Sequence, residues 1–167
     1  GHVNSRMLKN VGANYVIIGH SENRKKGENN KLINLKIKSA LKAKLKVIFC
    51  IGETITEKKR KKTQSVLSTQ IKVGLNKIKN NKNIFIAYEP VWAIGTGIVP
   101  KAKDLFKTVM FIKNKFKDKS QKVFYGGSVN PQNIKNLKEI NNIDGFLIGG
   151  ASLNSKKFID IVKKTYN

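Results

Sequence analysis

Acidic residues are scarce in this chain: ten Asp and Glu stand against 34 Lys and Arg, for a formal net charge of +24 over 167 residues. An excess of that size raises nucleic acid or an anionic membrane as a partner. The distribution argues otherwise. The cations are nearly all Lys, interleaved with Asn and Ile along helical stretches such as Lys31 to Lys46 and Lys72 to Lys82, as on solvated faces. Aromatics are not interleaved with them, so the stacking platform that would read a single strand is missing. The expectation is no specific nucleic-acid partner, only weak, salt-sensitive attraction to polyanions.

Cysteine is nearly absent too. Cys50 alone excludes an internal disulfide, fits a reducing cytoplasm, and lies in an apolar pattern as a small core residue. Two histidines, with no second His or Cys at ligand spacing, give no metal site to expect, and no cofactor is implied. No apolar run is long enough to span a bilayer and no signal-peptide pattern is present, so no membrane partner is expected. There is no Pro/Gly/Ser-rich linker or composition break, and residues 1–167 read as one domain. Gly1 and His2 read equally well as native residues or as a cloning remnant.

What is present is alternation. Apolar runs at 15 to 19, 46 to 51, 84 to 88, 122 to 125 and 145 to 148 are separated by helical patterns. These helices are expected at about 5 to 10, 30 to 44, 56 to 80, 101 to 117, 131 to 139 and 154 to 165, and Leu32, Leu35, Ile37 and Leu41 mark an apolar stripe on the second. Five strands each followed by a helix predict an α/β fold with a parallel sheet and right-handed crossovers.

The segment Ala87-Tyr88-Glu89-Pro90-Val91-Trp92-Ala93-Ile94-Gly95-Thr96-Gly97 ends a buried strand on a carboxylate and follows it with a loop stiffened by proline and loosened by glycines. That pattern suits a base under a lid. It resembles the catalytic strand and lid loop of triosephosphate isomerase. Tyr15 to Glu22, with Gly19-His20-Ser21-Glu22 at its end, resembles that family's strand carrying an electrophilic histidine, and Val47 to Glu53 resembles the next strand. Tyr125-Gly126-Gly127-Ser128-Val129 and Asp144 to Leu153 resemble the family's two phosphate-gripping turns, again in family order.

The resemblance implies an incomplete TIM-type barrel, (βα)5-like, because its first matching motif belongs to the fourth strand of a fold that needs roughly 250 residues. It implies Glu89 as catalytic base and His20 as neutral electrophile. Backbone N–H groups of Gly95, Ser128, Gly149 and Gly150 would hold the substrate phosphate. Pro90, Val91, Trp92, Ala93, Ile94, Gly95 and Thr96 would form the lid, with Trp92, Tyr88, Tyr125 and Glu53 holding it open or shut. The implied reaction interconverts dihydroxyacetone phosphate and glyceraldehyde 3-phosphate, a cytoplasmic step of glycolysis and gluconeogenesis. The implied partners are a triose phosphate, inorganic phosphate or sulfate, a second copy in a homodimer, and a complementary N-terminal fragment.

Departures from the family pattern temper this. The Asn and Lys of the family's first strand have no counterpart here, so Glu22 loses the Lys it would pair with. Asn23 stands where the first of two arginines is common, and Pro100 offers no N–H near the lid's far hinge. The chain alone is therefore expected to be inactive or strongly impaired. The alternatives are a folded, self-associating remnant with weak phosphate or polyanion binding, and a basic anion-binding protein.

Overall fold

Parallel strands must be joined by crossovers, and each apolar run here is followed by a helix on its way to the next. The computed structural model describes residues 3–79, 82–118 and 120–166. Five strands, β1 (Tyr15–Ile18), β2 (Lys46–Ile51), β3 (Ile84–Tyr88), β4 (Val123–Tyr125) and β5 (Gly145–Phe146), pair in parallel in that order. The helices are α1 (Ser5–Asn10), α2 (Ser21–Lys25), α3 (Asn30–Lys42), α4 (Ile55–Lys59), α5 (Thr63–Gly74), α6 (Ala102–Lys113), α7 (Ile134–Lys138) and α8 (Ser155–Tyr166). β1 and β5 are edges and do not pair with each other, so the sheet stays open. The α/β class and the unclosed five-strand arrangement agree with the sequence reading.

Strand side chains alternate between two faces. Val47, Phe49 and Ile51 on β2, Ile84, Ile86 and Tyr88 on β3, and Val123 and Tyr125 on β4 are buried in one core with Ile33, Ile37, Leu67, Leu105, Val109, Ile112 and Ile134 from the helices. Each such side chain contributes about 1.5–3 kcal/mol on leaving water. The opposite face carries an aromatic row, Tyr15, Phe85 and Phe124, with ring centroids 5.8 Å and 5.5 Å apart. It is only half covered: Tyr15 is 49% exposed and Ile17 47%.

Two sequence expectations need correction. On α3 the buried stripe is Ile33, Ile37 and Ala40, while Leu32 and Leu35 are exposed. Spacings of three and four keep the first set on one face; Leu32 and Leu35 turn away from it, and Leu35 faces a groove shared with Lys72 and Val73 of α5. The expected helix at 56 to 80 is two helices. A Thr54–Glu57 capping box starts α4, and Lys61, with φ of 56°, ends it in the left-handed region before Thr63 opens α5. Residue 80, at the end of that expected helix, lies outside the described residues, as do Gly1 and His2. The other expected elements match within a few residues, the largest difference being α6, which stops at Lys113, and the short helix α2 falls outside the expected helix spans.

The ends of β2 and β3 are held at one height. Glu89 N–H donates to the Ile51 carbonyl at 2.7 Å, and the buried Gln70 side chain brackets Gly52, accepting from its N–H at 2.9 Å and donating to its carbonyl at 3.0 Å. A Cβ on Gly52 would lie 1.8 Å from the Glu89 carbonyl oxygen. Gly52→Ala must push the two strand ends apart, and we expect it to cost about 3 kcal/mol, the top of the overpacking range. Denaturant unfolding measures it; a loss below about 1 kcal/mol would mean these ends are free to separate.

Candidate active site

The strand register brings the chemistry together. Ile18 pairs with Phe49, Ile51 with Tyr88 and Tyr88 with Tyr125, so Gly19-His20, Gly52, Glu89 and Gly126 follow at neighbouring strand ends. Arg24 clamps the first two: its Nε donates to the Gly19 carbonyl at 2.7 Å and its Nη2 to the Cys50 carbonyl at 3.1 Å.

His20 is the N-cap of α2. Its Nδ1 accepts from the Glu22 N–H at 3.4 Å, which requires that nitrogen to be unprotonated and leaves the ring proton on Nε2. Nε2 then points to Glu89, 3.6 Å from Oε1. That distance is longer than a hydrogen bond.

Glu89 is 3% exposed although it follows the last residue of a strand. Burial pushes its carboxyl above the usual range, and His20, the Cys50 thiol, Arg24 and the Ser21 N–H offset only part of this. Oε2 has no hydrogen-bond partner among the described residues. A dry, incompletely bonded carboxylate is a stronger base than a solvated one. Gly126 makes the room, since a Cβ there would sit 2.8 Å from Glu89 Cγ.

His20, Glu89, Gly95, Ser128, Gly149 and Gly150, the six site residues read from the sequence, line one cavity of about 450 Å³. After Pro90 the loop makes one 3₁₀ turn, Val91–Ala93, and Gly95 and Gly97 adopt φ of 68° and 77°. The Ser128 hydroxyl donates to the Ala93 carbonyl at 2.7 Å and accepts from Gly97 N–H at 2.9 Å, tying the loop after Pro90 to the cavity's edge. Trp92 Nε1 donates to Glu53 at 2.9 Å, and the Tyr88 hydroxyl reaches the same carboxylate at 3.2 Å. Tyr125 is not in this group; its hydroxyl is buried without a partner among the described residues.

The sequence model of the family described as triosephosphate isomerase matches residues 1–165. The triosephosphate isomerase of Thermodesulfovibrio yellowstonii is 48% identical over 170 aligned positions, covering 98% of this chain and 69% of that protein. The chain belongs to the triosephosphate isomerase family. The triosephosphate isomerase of Yarrowia lipolytica is 46% identical, covering 97% of this chain and 68% of its own. The crystal structure of triosephosphate isomerase from Bartonella henselae superposes with a TM-score of 0.90 at 35% identity, over 100% of this chain and 70% of that one. The five open strands are thus the matching part of a TIM barrel, and the chain spans about 70% of these relatives' length.

Three features of this family site escaped the sequence reading. The Ser128 side chain binds the loop after Pro90, a contact with a segment 31 residues away. Lys58 Nζ sits 3.3 Å from the Trp92 ring centroid, a cation–π contact set by the α4 break that the sequence did not reveal. Lys157 of α8 lines the cavity beside Gly149 and Gly150, with no local motif to single it out among so many lysines.

The raised Glu89 value has a sign. Folded Glu89 holds its proton to higher pH than the unfolded chain, so its contribution to stability is full below the unfolded value, about 4.3, and is lost as pH rises through the folded value. Glu89→Gln removes that loss. We expect the variant to be more stable than the parent at pH 7, by about 1.4 kcal/mol for each unit of upward shift, and the two to converge near about pH 4. Parallel unfolding curves across that range measure it; a variant less stable at pH 7 would place the carboxylate in a favourable charged site instead.

Proposed function

We propose that this chain carries the proton-transfer half of a triosephosphate isomerase site, acting on dihydroxyacetone phosphate and glyceraldehyde 3-phosphate in cytoplasmic glycolysis and gluconeogenesis. The observation that carries the reading is the buried Glu89 carboxylate, 3.6 Å from the His20 Nε2 that bears the ring proton, in a cavity bordered by glycine turns. A Glu base beside a neutral His is the known arrangement of this family.

Glu89 takes the proton from the carbon beside the carbonyl. The C–H electron pair becomes the enediolate double bond, the carbonyl pair moves onto oxygen, and His20 Nε2–H donates to that oxygen. Glu89 then returns the proton to the neighbouring carbon, where the enediolate double-bond pair takes it. The hydroxyl proton on the first carbon's oxygen meanwhile passes through His20 Nε2 to the second oxygen, and the freed O–H pair forms the new carbonyl. Backbone N–H groups of Gly95, Ser128, Gly149 and Gly150 hold the phosphate, or inorganic phosphate or sulfate in its place, with Lys157 adding charge at that end. The lid, Pro90 to Thr96, keeps water out.

We further propose that the chain alone is strongly impaired. The cationic stabiliser of the family's first strand has no counterpart here, and losing one such donor costs about 10² to 10³ in rate, roughly 3–4 kcal/mol. Full activity arises when a complementary N-terminal segment supplies the remaining βα units. The exposed β1 edge favours a second reading, a single truncated domain that folds and self-associates as a homodimer with only weak phosphate or polyanion binding.

A coupled assay of the chain against a complete relative decides between them. The expected turnover is at least about 10² to 10³ lower, restored by the complementary segment and abolished by Glu89→Gln. Near-normal turnover of the chain alone would contradict the impairment. A residual rate unchanged in Glu89→Gln would contradict the site.

A further inference from the structure

Lys58-Lys59-Arg60-Lys61-Lys62 is the longest unbroken run of cations in the chain. It lies where α4 meets α5, in the crossover from β2 to β3, and all five residues are exposed. Lys62 N–H donates to the Glu57 carbonyl at 2.9 Å and Lys61 N–H to the Lys58 carbonyl at 2.9 Å, so the left-handed Lys61 folds the run into one tight turn. Lys58 and Lys59 complement the C-terminal end of the α4 dipole. Arg60, Lys61 and Lys62 lie beyond it, and no carboxylate among the described residues comes within ion-pair distance of any of the five. The nearest acid in sequence, Glu57, accepts from the N–H and hydroxyl of Thr54. Like charges confined to one turn repel, and salt screens them only in part at separations under about 8 Å. A polyanion relieves that repulsion.

We propose that this turn binds a chain of linked phosphates, as in inorganic polyphosphate or the triphosphate of a nucleotide, and that Lys58 passes its occupancy on to Trp92. Charge complementarity selects a ligand with several anionic centres, since a single phosphate reaches only some of the cations. A groove that reads extended basic peptides is unsuited, because the run is folded into a helix end and a turn. The adjoining aromatic offers little to a base: Lys58 Nζ already sits 3.3 Å from the Trp92 ring centroid, and the indole N–H donates to Glu53 at 2.9 Å. Lys58 thus serves two surroundings. A phosphate that draws its Nζ outward uncovers the indole, which lies at the start of the loop after Pro90. An exposed cation–π contact is weaker than a charge-assisted bond to phosphate, so the exchange favours the phosphate. None of the five cations lines the Glu89 cavity, so this binding is independent of the proposed reaction.

The test is a metal-free titration of isotope-labelled chain with tripolyphosphate at constant ionic strength, with orthophosphate as the single-phosphate control. Binding is read from the amide signals of Lys59, Lys61 and Gln64 and from the emission of Trp92, the one tryptophan of the chain. Tripolyphosphate is expected to bind at least about tenfold more tightly than orthophosphate, with Trp92 emission changing in parallel. Combining Lys59→Gln, Arg60→Gln and Lys61→Asn, the asparagine keeping the left-handed turn, should weaken it at least about tenfold. Combining Lys31→Gln, Lys42→Gln and Lys72→Gln removes the same charge from exposed sites on α3 and α5, and should weaken it less than about threefold. Lys58→Met should keep the amide shifts and lose the Trp92 response. Equal loss in the two triple variants, shifts confined to Gly149 and Gly150, a Trp92 emission unmoved at saturation, or an unchanged response in Lys58→Met would overturn the proposal. ATP separates the sources: binding tighter than tripolyphosphate assigns the turn to a nucleotide, and equal or weaker binding assigns it to inorganic polyphosphate.

Discussion

A parallel sheet needs cover on both faces, because its strands are apolar on both, and here the helices supply a full layer to only one. On that side Phe49, Ile86, Tyr125 and their neighbours are sealed under α3, α5 and α6. On the other, Tyr15, Ile17, Phe85 and Phe124 form an aromatic and aliphatic strip that a closed barrel would fill with layers of side chains from the facing strands. Five strands cannot close on themselves without changing tilt and stagger. The edges at Tyr15–Ile18 and Gly145–Phe146 remain unpaired with each other.

The site tolerates this because it is built at the strand ends and not in the barrel interior. Glu89 is dried by Gly126 against its side chain, by the Cys50 thiol and by the start of α2. His20 is oriented by its own helix terminus. The loop after Pro90 is held by Ser128 and by Glu53 through Trp92. Each of these contacts is made within the four consecutive βα units beginning at β1, β2, β3 and β4. The geometry at these strand ends and the closure of the sheet are therefore separable in this chain: the first is present where the sheet stays open.

What the sequence revealed and what it hid follow the same division. That Glu89, His20 and the turns at Ser128 and Gly149-Gly150 meet at one cavity was legible because each belongs to a short contiguous pattern whose glycines and strand run constrain one another. The buried face of α3 was read only in part, with Ile37 on it and Leu32 and Leu35 off it, because those leucines are as apolar as Ile33 and only the position of the neighbouring strands decides which are covered. The helix break at Lys61 was hidden because a lysine in the left-handed region has none of glycine's signature. The unpartnered oxygens of Glu28 and Glu89, and the unpartnered Tyr125 hydroxyl, arise from how distant segments meet, which no local pattern encodes.

We propose that the half-covered face of this chain, taken alone, is buried against a second copy, and sedimentation of the purified chain across protein concentration and salt tests this most directly. The account predicts a dimer that strengthens as salt screens the charge of +24, since apolar burial drives association and self-repulsion opposes it. A compact monomer at high concentration and moderate salt would contradict it, and would mean that the five strands cover their own inner face.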